Sequence, residues 1–289
     1  EGRLEALAKF NLLPGGIDSA IAETLHRSSL GVDADPVNLL LGGIKCAIAD
    51  YAGSHTAADL ADILFGTPQP VFTTANLGVL EPGKVNIALH GHNPVLSDVV
   101  VTVAKEMEEE AKELGSAGIN LVGVCCTGSE LLMRHGISSL THSISQELPL
   151  LTGALDAMAV DYQCIYPSLP GIAECTGTKI ITTMNIAKIP GAMHIELDNA
   201  KESARKIINE GFVAFKNRKG KPVSVPQTPN QVVAGFSAEA ILSALARLNP
   251  EEPLQPLVEN ILKGNIQGIA LLAGCNNVKV TQDENFLMS

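Results

Sequence analysis

The chain carries six cysteines and seven histidines, and four of the segments that hold them share a setting. Apolar runs of strand length end in His90-Gly91-His92-Asn93-Pro94, in Cys125-Cys126-Thr127-Gly128, in Asp161-Tyr162-Gln163-Cys164 and in Gly274-Cys275-Asn276-Asn277. Thiolates with an imidazole suit zinc, nickel or iron–sulfur chemistry, and they are poor partners for magnesium or calcium. The stretch Asn120-Leu121-Val122-Gly123-Val124-Cys125-Cys126-Thr127 reads as a buried strand that turns into a helix near Ser129, which sets Cys126 beside a helix amino terminus. The helix dipole there favours thiolate over thiol, and thiolate is the form that binds metal. Cys126, Cys164 and Cys275, with an imidazole from the His90-Gly91-His92 segment, are therefore the candidate ligands.

Other chemistries compete for the same residues. A cysteine in an apolar strand is more often a small core residue than a ligand, and that describes Cys46 and Cys175. Cys126 as a nucleophile with His92 as its base is a second reading, but it leaves Cys164 and Cys275 unexplained. A serine hydrolase could be assembled from Ser129 or Ser168 with a histidine, yet no G-x-S-x-G elbow is present. Neither G-x-G-x-x-G after a strand nor G-x-x-x-x-G-K-[ST] occurs, which disfavours a nucleotide. His26, His55, His135, His142 and His194 show no partner pattern and are expected to be surface or satisfied polar residues.

Two kinds of segment must position these residues. Residues 1–68 read as an all-α segment. A first helix stops at Leu13-Pro14-Gly15-Gly16, a second over 19–29 is capped by Asp18, and a third opens at Asp33-Ala34-Asp35-Pro36. A fourth begins at Thr56 and ends at Gly66. The linker Thr67-Pro68-Gln69-Pro70 marks a boundary. Residues 69–231 then alternate, with strands at 85–89, 121–124, 155–160 and 179–184 and helices at 94–114, 129–135 and 199–217. This order implies parallel pairing and a Rossmann-like three-layer α/β domain. The acidic run 106–113 is a solvated helix face. Residues 232–289 read as the start of a second Rossmann-like domain, with helices at 238–248 and 254–262 and a strand at 266–272.

Composition bounds the partners. Of 289 residues, 46% are hydrophobic and 18% charged, enough for a sizeable core and against disorder. Twenty Lys and Arg against 31 Asp and Glu give a net charge of −11, and Trp is absent, so nucleic acid is not expected as a partner. Six mostly apolar-context cysteines are not a secreted disulfide framework. No apolar stretch approaches the ~20 residues of a membrane span and no signal peptide is visible, so a cytoplasmic location is expected.

Taken together, His90-Gly91-His92-Asn93-Pro94, Val124-Cys125-Cys126-Thr127-Gly128, Asp161-Tyr162-Gln163-Cys164 and Gly274-Cys275-Asn276-Asn277-Val278-Lys279 resemble the catalytic subunit of the anaerobic nickel-iron carbon monoxide dehydrogenases. The match covers the whole chain in order. The resemblance implies a nickel-iron-sulfur cluster, with His92 as the iron-binding imidazole and Cys126, Cys164 and Cys275 as cluster thiolates. Cys125 should point away from that direction, and His90 should orient His92 from behind. It implies a reaction in which carbon monoxide and water become carbon dioxide, two protons and two electrons, reversibly. Among the family's acid-base residues, the acidic one matches Asp50.

The resemblance further implies a homodimer, a ferredoxin-type redox partner and, in some relatives, an acetyl-CoA synthase subunit. The family's further 4Fe-4S clusters, its catalytic His and Lys and its last cluster cysteines match nothing between Glu1 and Ser289. The chain is therefore expected to be a central fragment, inactive alone. The hybrid-cluster hydroxylamine reductases share the architecture, but the Cys125-Cys126 pair and the His-Gly-His motif speak against them. A non-catalytic α/β module that binds a small anion or nucleotide is the alternative from another class.

Overall fold

The computed structural model describes residues 2–270, which fall into two compact units that part between Gly66 and Thr67. The first unit is helical: α1 (Gly2–Lys9), α2 (Ile17–Arg27) and α3 (Pro36–Phe65). Asp35 caps α3 by accepting the Asn38 N–H at 2.8 Å, and Pro36 occupies the first turn, where a missing N–H costs nothing. The expected third and fourth helices are one. Thr56 sits in its interior and bonds back to the Ala52 carbonyl at 2.9 Å, a local bond that the helix tolerates. Gly16, not Asp18, is the N-cap of α2; Asp18 lies in the first turn, where its charge complements the helix dipole. The residues buried within α2 and α3 are small: Ala20, Gly42 and Ala49.

The second unit begins with β1 (Val71–Ala75), β2 (Val85–His90), α4 (Pro94–Glu106), α5 (Glu108–Glu113), β3 (Ile119–Val124) and α6 (Cys125–His135). It continues with β4 (Ser139–Thr141), α7 (Leu148–Leu151), β5 (Ala157–Val160), α8 (Leu169–Thr176), β6 (Lys179–Thr182) and β7 (Met193–His194). It closes with α9 (Ala200–Arg218), β8 (Asn230–Ala234), α10 (Ala238–Ala246) and α11 (Gln255–Leu262). The described strands form one eight-stranded sheet in the order β7-β6-β5-β2-β3-β4-β1-β8. Every pairing is parallel except that of β8, which runs antiparallel to β1 at one edge.

All six residues of β2 are buried, as a central strand covered on both faces requires. Val85, Ile87 and Leu89 pack with Leu96, Val100 and Val103 of α4 and Ile207 and Ile208 of α9. Ala88 packs on the opposite face with Val122, Leu150, Met158 and Leu169. The result is a helix–sheet–helix sandwich, in which each buried Ile or Leu contributes about 1.5–3 kcal/mol.

Several elements differ from expectation. β1, β4, β8 and α8 carry no period that sets them apart: β4 is three residues long and β8 is an edge strand in a Pro-rich stretch. The boundary expected after residue 231 falls inside β8. The long helix expected over 94–114 breaks at Met107 into α4 and α5. Glu106, on its outer face, bonds Lys201 and Arg205 of α9, both at 2.7 Å. Helix α6 starts at Cys125, four residues before Ser129. Residues 266–270 are without regular structure, and the rest of the strand expected at 266–272 lies outside the described residues. Among the described residues no helix is long and apolar enough to cross a membrane.

At the amino-terminal end of the sheet, Arg218 forms a buried fork with Asp156, Nε to Oδ1 at 2.8 Å and Nη2 to Oδ2 at 3.2 Å. Asp156 Oδ2 also accepts the Asn86 N–H at 2.8 Å. Burial holds the Asp156 carboxyl above the ordinary carboxylate range, although Arg218 and the Asn86 N–H pull it down. The folded state therefore binds this proton more readily than the unfolded chain, and the stability so gained is present at low pH and declines as pH rises through the folded value. Arg218→Met leaves the carboxylate uncompensated and is expected to cost about 3–5 kcal/mol near neutral pH. Urea unfolding near neutrality and in mild acid should show the deficit narrowing as pH falls, because a lone buried carboxyl protonates.

Candidate metal centre at the sheet edge

Strand order decides where chemistry can sit. From β2 the chain winds one way through β3 and β4, then crosses back to place β5 on the other side of β2. Loops leaving the carboxyl ends of β2 and β5 thus diverge, the topology that forms the ligand crevice of open α/β sheets. His90-Gly91-His92 leaves β2 and Asp161-Tyr162-Gln163-Cys164 leaves β5, so both motifs border this crevice. Cys125 and Cys126 form the first turn of α6 directly after β3, the neighbour of β2 on its other side.

One carboxylate joins the two loops. Asp161 is 3% exposed. Its Oδ1 and Oδ2 accept the His92 N–H at 2.8 and 2.9 Å, Oδ2 accepts the Asn93 N–H at 2.6 Å, and Oδ1 also accepts the Tyr162 N–H. Gly91 makes this approach possible: a Cβ there would stand 1.8 Å from Asp161 Oδ1, and its φ of +131° is one that glycine alone adopts with ease. Asn93 then caps α4, its side chain accepting the Val95 and Leu96 N–H groups.

The ring of His92 is fixed by the opposite loop. Its Nδ1 lies 3.0 Å from the Tyr162 carbonyl, and a carbonyl only accepts, so Nδ1 carries the proton. The Nε2 lone pair is left as the donor toward a metal, the usual arrangement of a ligating histidine. His92 is half-buried, while Cys126 and Cys164 are exposed at the same edge. Cys125 packs instead against the apolar cluster beneath the sheet. Helix α6 is tied to the β2 loop by the Thr127 N–H, which donates to the Gly91 carbonyl at 2.8 Å. It also lies close against β3, since a Cβ on Gly123 would come within 2.3 Å of Gly128 Cα.

The His90 ring makes no hydrogen bond to His92. It is 1% exposed, and its Nε2 lies 2.9 Å from Gln146 Oε1. Burial, which strips water from the charged ring, holds His90 below the usual histidine range; the Gln146 bond, the Asp161 charge and the Val124 carbonyl oppose this, and His92 adds to it. Backbone strain gathers at the cysteines, with φ of +59° at Cys125, +63° at Gln163 and +58° at Cys164. Such conformations cost on the order of 1–3 kcal/mol each and persist at sites that need them.

Among the described residues no three His, Cys, Asp or Glu side chains come close enough to hold a single metal ion. A lone-pair nitrogen and two exposed thiols spread along one edge fit a larger inorganic group, whose ligands need not touch one another. Cys275 lies outside the described residues. Asp50 is exposed on α3 in the helical unit. Neither serine proposed for a hydrolase bonds a histidine among the described residues: Ser129 Oγ reaches back to the Cys125 carbonyl and Ser168 Oγ bonds Glu147. Sequence reading missed what holds the site. The one available signal was Gly91, a glycine between two histidines before a helix; Gln146 offered none.

The model of the Prismane/CO dehydrogenase family matches residues 1–288. The chain belongs to this family. It is 58% identical over 286 residues to carbon monoxide dehydrogenase 2 of Carboxydothermus hydrogenoformans, a match that covers 98% of this chain and 45% of that protein. It is 52% identical to the carbon monoxide dehydrogenase/acetyl-CoA synthase subunit beta of Moorella thermoacetica, over 99% of this chain and 43% of that one. A solved structure described as NiZn[Fe4S4] and NiNi[Fe4S4] clusters in closed and open alpha subunits of acetyl-CoA synthase/carbon monoxide dehydrogenase superposes with a TM-score of 0.92 at 52% identity, covering 99% of this chain and 43% of that one. The chain thus spans less than half the length of these relatives.

Gly91→Ala is expected to destabilise the chain by at least about 3 kcal/mol, since a methyl group must displace a buried carboxylate from its backbone donors. Gly115→Ala also places a side chain at positive φ, +81°, but meets no atom within 4 Å. It should cost no more than about 1–2 kcal/mol in the same thermal unfolding experiment.

Proposed function

We propose that this chain is the part of an anaerobic carbon monoxide dehydrogenase that supplies His92, Cys126, Cys164 and Cys275 to a nickel-iron-sulfur cluster. The observation that carries the reading is the His92 ring, held through Nδ1–H by Tyr162 so that Nε2 is available at the same crevice edge as Cys164 and Cys126. The relatives' names point the same way, and they favour this reading over a hydroxylamine reductase. When bound, the cluster supplies the interconversion of carbon monoxide and water with carbon dioxide, two protons and two electrons.

The chain's own residues do the holding. His92 Nε2 would offer its lone pair to iron, and its orientation is already set by the Tyr162 carbonyl. Cys126 and Cys164 bind as thiolates, the former in the first turn of α6, where the dipole lowers the cost of negative charge. Asp161 keeps the β2 and β5 loops in register by satisfying their N–H groups. Acid–base work in this reading would fall to Asp50, the residue that the family resemblance assigns.

In this reading residues 1–68 end a helical domain, the sheet from β1 through β8 forms a Rossmann-like domain, and the residues after Ala234 begin a second one. The whole enzyme works in the cytoplasm as a homodimer, passes electrons through further 4Fe-4S clusters to a ferredoxin-type acceptor, and joins an acetyl-CoA synthase subunit where one is present.

Anaerobic reconstitution with iron, nickel and sulfide tests the assignment. The parent chain should take up iron and acid-labile sulfide. Cys126→Ala and His92→Ala should each lose more than about half of that content while keeping their folded far-ultraviolet spectrum. Equal metal content in all three would remove these residues from the ligand set.

A further inference from the structure

Gln146 follows the short 3-10 turn of Ser143–Ser145 and is fully buried between β4 and α7. Its amide is satisfied on every side. Nε2–H groups donate to the Ser143 carbonyl and, at 2.8 Å, to the Cys164 carbonyl. Oε1 lies 2.9 Å from both the Tyr166 N–H and His90 Nε2. Two carbonyls on one side and a backbone N–H on the other fix which end of the amide is oxygen, so His90 must donate from Nε2. A buried amide with both donors and both acceptor directions used is rigid, because any rotation leaves a buried polar group unpaired.

The segment that it grips is the least relaxed at the site. Gln163 and Cys164 are consecutive non-glycine residues in the left-handed region, at φ +63° and +58°, and such a pair relaxes unless its surroundings hold it. Gln146 takes the Cys164 carbonyl with one end of its amide and the N–H of Tyr166, two residues on, with the other. It therefore closes around the strained turn and ties it to the end of β2 through His90.

We propose that Gln146 is the positioning residue for Cys164, a clamp that holds the left-handed 163–164 turn so that the thiol stands exposed at the crevice edge. The purpose rests on the metal reading above, while the clamp itself rests on these hydrogen bonds. Gln146→Met keeps the volume and removes all four bonds. Gln146→Glu keeps the acceptor for His90 and Tyr166 but turns a carboxylate oxygen toward the carbonyls of Cys164 and Ser143, so it opens the clamp from one side.

The test is alkylation of the reduced, metal-free 289-residue chain with iodoacetamide, followed residue by residue by peptide mass spectrometry. In both variants the Cys164 rate should change by at least about fivefold, the effect of losing a hydrogen bond or more, while Cys126, which Gln146 does not hold, stays within about twofold of the parent. Iron uptake on reconstitution should fall in parallel with the Cys164 change. A Cys164 rate unchanged in both variants overturns the proposal, and so does an equal shift at Cys126, which would show general loosening. Iron uptake by the parent chain tests the metal reading separately, because the alkylation contrast is read without metal.

Discussion

A buried carboxylate that accepts backbone N–H groups from two different loops is the constraint on which this sheet edge depends. Asp161 bonds His92 and Asn93 on one side and Tyr162 on the other, and hydrogen bonds to a charged acceptor are worth about 1.5–3 kcal/mol each. Without it, the loop after β2 would have unpaired N–H groups facing a buried space. Gly91 is the necessary counterpart, since any side chain there would occupy the carboxylate's place. Tyr162 belongs to both halves of the arrangement: its N–H binds Asp161 while its carbonyl orients His92. The ring's direction and the loop's register thus have one origin.

The two ends of the sheet are built differently. At the amino-terminal end, Asp156 and Arg218 pair in a fork, with the backbone N–H of Asn86 completing the carboxylate's partners. At the carboxyl end, the buried Asp161 carboxylate binds backbone N–H groups, left-handed residues cluster, and two cysteines remain exposed. A satisfied base with a strained, partly open top is what a sheet needs if one end secures the fold and the other receives a ligand.

Much of this was readable from pattern. The buried runs ending at His90, Val124 and Val160 announce central parallel strands, and the amphipathic pattern over 199–217 announces α9 to within a residue at either end. Thr56 misled because a β-branched hydroxyl residue also occurs at helix starts, and only its bond to Ala52 shows that the helix runs through it. Gly128 misled in the same way: it reads as a turn before a helix, whereas it is a glycine inside α6 that allows contact with Gly123. β8 has no inward-facing alternation to betray it, as its residues are exposed or half-buried along an edge. The roles of Asp161 and Gln146 were beyond reach because neither periodicity nor spacing marks a side chain whose partners are distant backbone atoms.

Among the described residues, the last strand to enter the sheet lies beside the first. Val71 of β1 pairs with Ala234 of β8, positions roughly 160 residues apart, so closing this edge carries a large loop-closure entropy and must come late. On a ribosome, β1 would emerge long before its antiparallel neighbour, with an unsatisfied row of N–H and C=O groups able to pair with another chain. Phe72, 83% exposed on that strand even after closure, makes the interval more hazardous. The order of strands therefore leaves the β1 edge open until the chain has been made as far as Ala234.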